Sequence, residues 1–477
     1  MLHFTLTFAT ASHTHKNKVR STKYKEHNSL ALCYHSNSCY KPAVPNTSDE
    51  GLVRGIRRWD LVAVTINGII GAGIFGLPAK VYALIGTYSL IAFVACALVV
   101  AIIILCFAEV SSRFDETGGP YLYAREAYGP TTAFQIGWLI WLARLTAFAA
   151  NCNLMINYLG YFWAGATTPF WRAVVIIATV VALMTINLLG IRQAANVSNV
   201  FTIGKLLPML IFIAAGLFFL NPQAYTFGPS PSTHAFSQSV LLLIYAFTGF
   251  EMAVIPAGET RDPQRDLPRA LLIALGVVAT FYIFIQIVCV GTLPELAQSQ
   301  KPLADAGMRF LGVAGGALIS AGAIISIIGN LNILVLSGSR IPFAMAEQKQ
   351  LPTLLGKVHP KTFVPYVAII VTSAVMLFMT LKSSFVAALT ISAIARLITY
   401  AATAISLPVF RHRVQAPAAL FNLPAGPLFA AIAVILIAWL LLNSTLQEAK
   451  MSALAIVVGF AIYFGYRLLA GTKKDTM

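Results

Sequence analysis

From Asp60 onward the chain alternates long apolar runs with short polar breaks. Twelve runs are long enough to cross about 30 Å of hydrocarbon as helix. They span roughly residues 60–83, 88–112, 130–160, 171–190, 196–220, 237–259, 268–292, 312–341, 364–381, 384–409, 426–443 and 451–470. A spanning segment must satisfy its backbone internally, so the pattern predicts an all-α polytopic membrane protein with twelve transmembrane helices. Residues 1–50 break the pattern. They are mostly polar, hold five of the eight histidines and carry a loose basic cluster from His13 to Lys25. They lack the apolar centre of a signal peptide. The expectation is a disordered cytoplasmic tail, or a misassigned start, with metal or anionic-lipid binding as the alternative. Residues 471–477 are expected to form a second, short cytoplasmic tail.

Composition narrows the class. Hydrophobic residues make up 58% of the 477, charged residues 10%, and the mean hydropathy is +0.77. Soluble domains carry about 25% charge, so a soluble enzyme, a disordered chain and a coiled coil are excluded. The net charge of +16 would suggest nucleic acid in a soluble protein. Here the loops account for it. One alternate set of loops carries eighteen Lys and Arg, the other only Lys80, Arg172, Lys301, Arg309, Lys382 and Lys450. Cytoplasmic loops collect the excess. Both termini are therefore expected in the cytoplasm, with the chain integral to the plasma (inner) membrane and the lipid bilayer as its partner. Cys96, Cys106, Cys152 and Cys289 lie in apolar stretches and read as small packed hydrophobes. Cys33 and Cys39 fall in the tail, and no spacing matches a zinc site or disulfide framework. No metal, cofactor or nucleic-acid partner is expected, and the absence of a nucleophile motif argues against an enzyme.

Two crossings carry helix-breaking sequence. The first reads Asn67-Gly68-Ile69-Ile70-Gly71-Ala72-Gly73-Ile74-Phe75-Gly76-Leu77-Pro78, and the sixth reads Tyr245-Ala246-Phe247-Thr248-Gly249-Phe250-Glu251, followed by Pro256 and Gly258. Each interior glycine weakens helix by about 1 kcal/mol relative to alanine. Unwound backbone at membrane depth is tolerated where it lines protein or a cavity. Interrupted crossings in corresponding positions of two five-helix halves point to a transporter binding site. Freed N–H groups suit a carboxylate and freed carbonyls suit an ammonium, which together describe a zwitterion such as an amino acid. The alternative is close helix packing, which small residues also permit.

These segments resemble the amino acid–polyamine–organocation superfamily of permeases. The resemblance covers roughly residues 54–470 and rests on Gly68–Phe75, the loop Thr117-Gly118-Gly119-Pro120-Tyr121-Leu122-Tyr123-Ala124-Arg125-Glu126-Ala127-Tyr128-Gly129, Tyr245–Glu251, and Glu259-Thr260-Arg261-Asp262-Pro263 running to Leu267-Pro268-Arg269. It implies a leucine-transporter-like fold. A first repeat of five helices would occupy residues 51–220 and an inverted repeat of five 221–410, with helices 1 and 6 discontinuous. Helices 11 and 12 would follow over 411–470. By the same resemblance, the backbone of Gly71, Ala72 and Gly73 would take the substrate carboxylate. Carbonyls near Ile69, and those of Ala246, Phe247 and Gly249, would take the amine. Tyr245 matches an aromatic that closes over substrate, with ordinary packing as the alternative. Ala72 stands where many relatives have Ser or Thr, which removes a hydroxyl and leaves the backbone route.

Few ionisable residues fall inside spans, and each costs at least about 2.5–3.5 kcal/mol unless paired or hydrated. Lys205 resembles the lysine that replaces a sodium ion in proton-coupled relatives. Protonated, it would bond carbonyls of the broken first helix and oxygens near Ser326. Its alternative is a permanent structural tether. Glu251 would carry a proton or bond the break. Arg144 and Arg396 would pair with carbonyls or a carboxylate, or face the cavity and bind an acidic substrate side chain. Glu109 and Arg113 form an i,i+4 pair, and Glu259–Arg269 reads as a solvated cytoplasmic turn. The expected function is secondary active amino acid transport, coupled to protons by alternating access, by a monomer or weak oligomer. The competing readings are an amino acid/amine exchanger and a membrane sensor that binds amino acid or amine without transporting it. A channel is disfavoured by the lack of a repeated filter.

Overall fold

The computed structural model describes residues 57–472 apart from 117, 190–204, 256, 258–259 and 414. The expected N-terminal tail, residues 473–477, the start of the fifth crossing, and Thr117, Pro256, Gly258 and Glu259 of the motifs lie outside the described residues. Those described fold into helices, with no strand among them. In chain order these are α1 (Arg58–Ile69), α2 (Ala72–Ile85), α3 (Ser89–Ser111), α4 (Pro120–Tyr128), α5 (Pro130–Leu159), α6 (Pro169–Leu189), α7 (Lys205–Phe219), α8 (Thr233–Phe247) and α9 (Glu251–Val254). They continue with α10 (Pro263–Thr292), α11 (Pro302–Glu347), α12 (Tyr366–Lys382), α13 (Phe385–His412), α14 (Gly426–Leu442) and α15 (Leu446–Thr472). Among the described residues, seven helical segments are long and apolar enough to cross a membrane, and four shorter apolar helices accompany them.

The first crossing is interrupted once, between α1 and α2. Pro78 lies inside α2, which runs on through it to Ile85. The sixth crossing is interrupted between α8 and α9, where Gly249 takes φ 111°, a conformation that favours glycine. The two interruptions meet: α1 packs on α9 and α2 on α8, with α5, α10, α11 and α13 around them. The contact is backbone to backbone. A Cβ on Gly68 would stand 2.7 Å from the Gly249 carbonyl oxygen, and one on Gly73 would stand 2.6 Å from Ala246 Cα. The glycines therefore serve close approach as well as helix interruption.

Two local expectations are corrected. The Thr117–Gly129 loop contains α4, which opens with Pro120 at its first turn and is flanked by left-handed Gly119 (φ 55°) and Gly129 (φ 88°). The turn over Glu259–Arg269 ends at Asp262. Pro263 starts α10, and Asp266 in its first turns accepts from Arg58 Nε at 2.8 Å. In α11 the backbone breaks at Gly312 (φ 67°, ψ −163°), which separates a first segment opening at Pro302 from the one that runs on to Glu347.

Polar side chains sort inward. On α5, Gln135, Arg144, Thr146, Asn151 and Asn153 are all buried. At the periphery, α6 exposes Phe170, Val174, Ile177 and Val181, and α15 exposes Leu454, Val457 and Phe464. Exposed apolar surface on this scale is unsuited to water. It suits hydrocarbon, and the chain is an integral membrane protein.

Candidate functional site

The two interruptions line one cavity. Gly68 to Gly73 form one wall, Tyr245, Thr248 and Met252 a second, and Asn151, Asn330 and Arg396 complete it. About 20 Å³ of it is open to the centre of a water molecule. That is room for roughly one water, so admitting an amino acid requires side chains to move.

At the first interruption, Ile70 leaves the helical region (φ −74°, ψ 88°) and Gly71 is extended before α2 begins. Helix α2 thus presents its first N–H groups to the cavity. The Ala72 N–H donates to Asn151 Oδ1 at 3.0 Å, and Asn151 Nδ2 donates to Asn330 Oδ1 at 2.7 Å. The Tyr245 hydroxyl reaches Asn151 Oδ1 at 3.1 Å and the Ala147 carbonyl at 3.3 Å. An amide oxygen of α5 therefore occupies one donor of the expected carboxylate cradle, and Tyr245 is tethered to the same atom.

The carbonyls expected to receive an amine also have partners. The Tyr282 hydroxyl of α10 shares its proton between Ile69 O (3.3 Å) and Ala246 O (3.2 Å), bridging the two broken crossings. Gly249 O accepts from Met252 N–H at 3.0 Å. Each carbonyl has two lone pairs, so capacity for a further donor remains. The Phe247 ring packs edge-on against Tyr282, with centroids 5.1 Å apart.

Lys205 is fully buried, and its ammonium donates to the carbonyls of Asn67 and Ile70, each at 3.0 Å, and to Asn67 Oδ1. Those three bonds use its three N–H groups. Among the described residues Ser326 is not one of its partners, and the Ser326 hydroxyl is buried without a hydrogen bond to any of them.

Glu251 collects partners from two helices, α5 and α13, and from the break itself. Arg396 donates to Oε1, and Arg144 stands 3.3 Å from the same oxygen as an ion pair rather than an aligned hydrogen bond. Tyr400 donates to Oε2 at 2.8 Å and the Gly249 N–H at 2.9 Å. Two guanidinium groups thus share one carboxylate, leaving the cluster one positive charge in excess. Arg144 is completely enclosed, and its Nε and Nη2 have no hydrogen-bond acceptor among the described residues.

Glu109 forms a second buried centre, away from the cavity. Beside Arg113 Nη2 at 3.0 Å it receives Arg411 through Nε at 2.8 Å and Nη2 at 2.6 Å, and the Leu423 N–H at 3.0 Å. Sequence reasoning found the i,i+4 partner and missed Arg411. It also missed Asn151, Asn330 and Tyr282. Their one signal was a polar tip within a strongly apolar run, which must find a partner when buried.

The family model described as "Amino acid permease" matches residues 56–463. The chain is 31% identical over 434 residues to the serine/threonine exchanger SteT of Bacillus subtilis, covering 88% of this chain and 99% of that protein. It is 26% identical to the branched-chain amino acid permease BcaP of Bacillus subtilis, covering 88% and 94%. It is 28% identical to the b(0,+)-type amino acid transporter 1 of Mus musculus, covering 87% of each.

Proposed function

The chain belongs to the amino acid permease family, a family of transporters rather than enzymes, and from that premise we propose that it carries amino acids across the plasma membrane by alternating access. One observation supports this reading above the others. Two interrupted crossings face each other across a single cavity, with the N-terminal N–H groups of α2 on one side and the carbonyls of Ile69 and Ala246 close by. A zwitterion fits such a cradle at both ends.

In this reading the helices form twelve crossings. Helices α1 to α7 make the first repeat of five, α8 to α13 the inverted second, and α14 and α15 the last two crossings, with both termini cytoplasmic. The substrate carboxylate displaces Asn151 Oδ1 from the Ala72 N–H and adds Gly73. The amine turns toward Ile69, Ala246, Phe247 and Gly249. Tyr245, released from Asn151, closes over the bound molecule.

Lys205 is assigned to coupling. While charged, it ties α7 to the end of α1; a lysine without its proton loses one of those three bonds and the charge that strengthens the other two, which frees α1 to tilt. Glu251, already held by three hydrogen-bond donors and the Arg144 ion pair, is assigned to bracing the second interruption rather than to carrying the proton. Exchange is the second reading, favoured by the relative named as a serine/threonine exchanger. Purified protein in proteoliposomes separates the two. Accumulation of labelled amino acid driven by an inward proton gradient supports coupling. Uptake that ignores the gradient and requires internal amino acid supports exchange. No uptake under either condition overturns transport.

A further inference from the structure

We infer that the cavity takes an amino acid whose side chain is an anion, with Arg396 as the residue that receives the side-chain carboxylate. This rests on the amino acid transport reading of the same site and adds the substrate class.

The first observation is a cation held in reserve. Arg396 is the one ionised side chain lining the cavity, and it is tied to Glu251 Oε1. Were Glu251 its sole counter-ion pair, turning Arg396 toward a ligand would strand a buried carboxylate, which is costly. Here it would not. Arg144 already stands 3.3 Å from the same oxygen, and two of its nitrogens lack acceptors. It takes over Glu251 as Arg396 leaves, while Tyr400 and the Gly249 N–H stay on Oε2. An entering carboxylate balances the excess positive charge of the cluster. A neutral side chain leaves that charge unbalanced, and a cationic one adds to it.

The second observation is the character of a larger cavity on the same helices. It offers about 400 Å³ to water centres and carries Lys80 and Arg172 with no carboxylate in its lining. Both cations have neutral partners. Lys80 bonds Gln300 at 3.1 Å, and Arg172 bonds Asn153 and the carbonyls of Thr380 and Ser383. Three helices line both cavities: α2 at Gly73 and Lys80, α5 at Asn151 and Ile156, and α13 at Arg396 and Val386. At 1.5 Å per residue the offset along each is about 8–15 Å. The offset runs with the chain on α2 and α5 and against it on α13. A positive vestibule raises the local concentration of anions.

The geometry also orders the substrate. With its main carboxylate on the N–H groups of Ala72 and Gly73, the side chain crosses the cavity toward Arg396, past Thr248 and Met252. Arg396 is anchored on α13 and turns no further than its own side chain allows, so reach selects chain length between aspartate-like and glutamate-like side chains.

The test uses the full chain, purified and reconstituted, with L-glutamate and L-aspartate against their isosteres L-glutamine and L-asparagine. The inference expects the acids to be transported and to stabilise the protein thermally, and the amides to be at least about tenfold weaker, since a site built for a polar group penalises its loss. Arg396→Gln should abolish the preference for acids over amides while some amide binding persists. Lys80→Gln, outside the cluster, should slow acid uptake about two- to fivefold at low salt and leave amide uptake unchanged, as steering predicts. If neutral amino acids are carried and the acids are not preferred, the anionic assignment falls and amino acid transport stands. If none of the twenty amino acids binds or moves, the parent reading falls and this one with it.

Discussion

Asn151 of α5 and Asn330 of α11 join their helices by a 2.7 Å hydrogen bond beside the first interrupted crossing. Both are buried, and the oxygen of Asn151 is shared by the Ala72 N–H and the Tyr245 hydroxyl. One amide thus connects four elements around the cavity. Asn330→Ala strands the Nδ2 of Asn151 in a dry interior and should cost about 1–3 kcal/mol of stability. A lowered thermal midpoint of the detergent-purified protein checks it; an unchanged midpoint would show that water or another acceptor replaces Asn330.

Lys205→Met removes three donors from the end of α1 and keeps the apolar stem. The expected result is loss of proton-driven accumulation with substrate binding retained. Uptake with and without an imposed proton gradient measures the first, and thermal stabilisation by amino acid the second. Gradient-driven accumulation persisting in this variant would remove Lys205 from the coupling role.

Glu251→Gln leaves two buried guanidinium groups without an anion. Breaking a buried ion pair from one side costs about 3–5 kcal/mol, so yield and monodispersity should collapse. Adding Arg144→Met removes the worse-satisfied cation and should recover part of the loss. A double-mutant cycle on thermal midpoints reads the coupling, and additive effects would contradict a shared carboxylate.

Gly73→Ala and Gly276→Ala make a contrasting pair. A Cβ at Gly73 meets Ala246 Cα at 2.6 Å, whereas one at Gly276 on α10 meets nothing within 4 Å. The first should part α2 from α8 and abolish transport while the chain still inserts. The second should be neutral, or stabilising by up to about 1 kcal/mol. Equal effects in the two variants would show that close approach at the interruptions carries no function.

What the sequence determined by itself was what neighbouring residues control. Runs of apolar residues marked the crossings, and glycine at Gly68, Gly71, Gly73 and Gly249 marked where two of them come apart, because helix stability and burial are set within a few residues. Lys205, Glu251, Arg144 and Arg396 stood out because an ion inside an apolar run is expensive wherever it points. The identity of the partners was beyond that reach. Whether Arg144 and Arg396 faced a ligand or a carboxylate stayed open until α5, α9 and α13 met at Glu251, and Arg411 stands 302 residues from Glu109. Such pairs are formed by helix packing, and packing depends on the shape of all the surrounding helices at once. Tyr282 between Ile69 and Ala246 has the same cause, as does Asn151 on Ala72: a buried polar atom must find a partner, and only the assembled bundle decides which atom lies within hydrogen-bond reach of it.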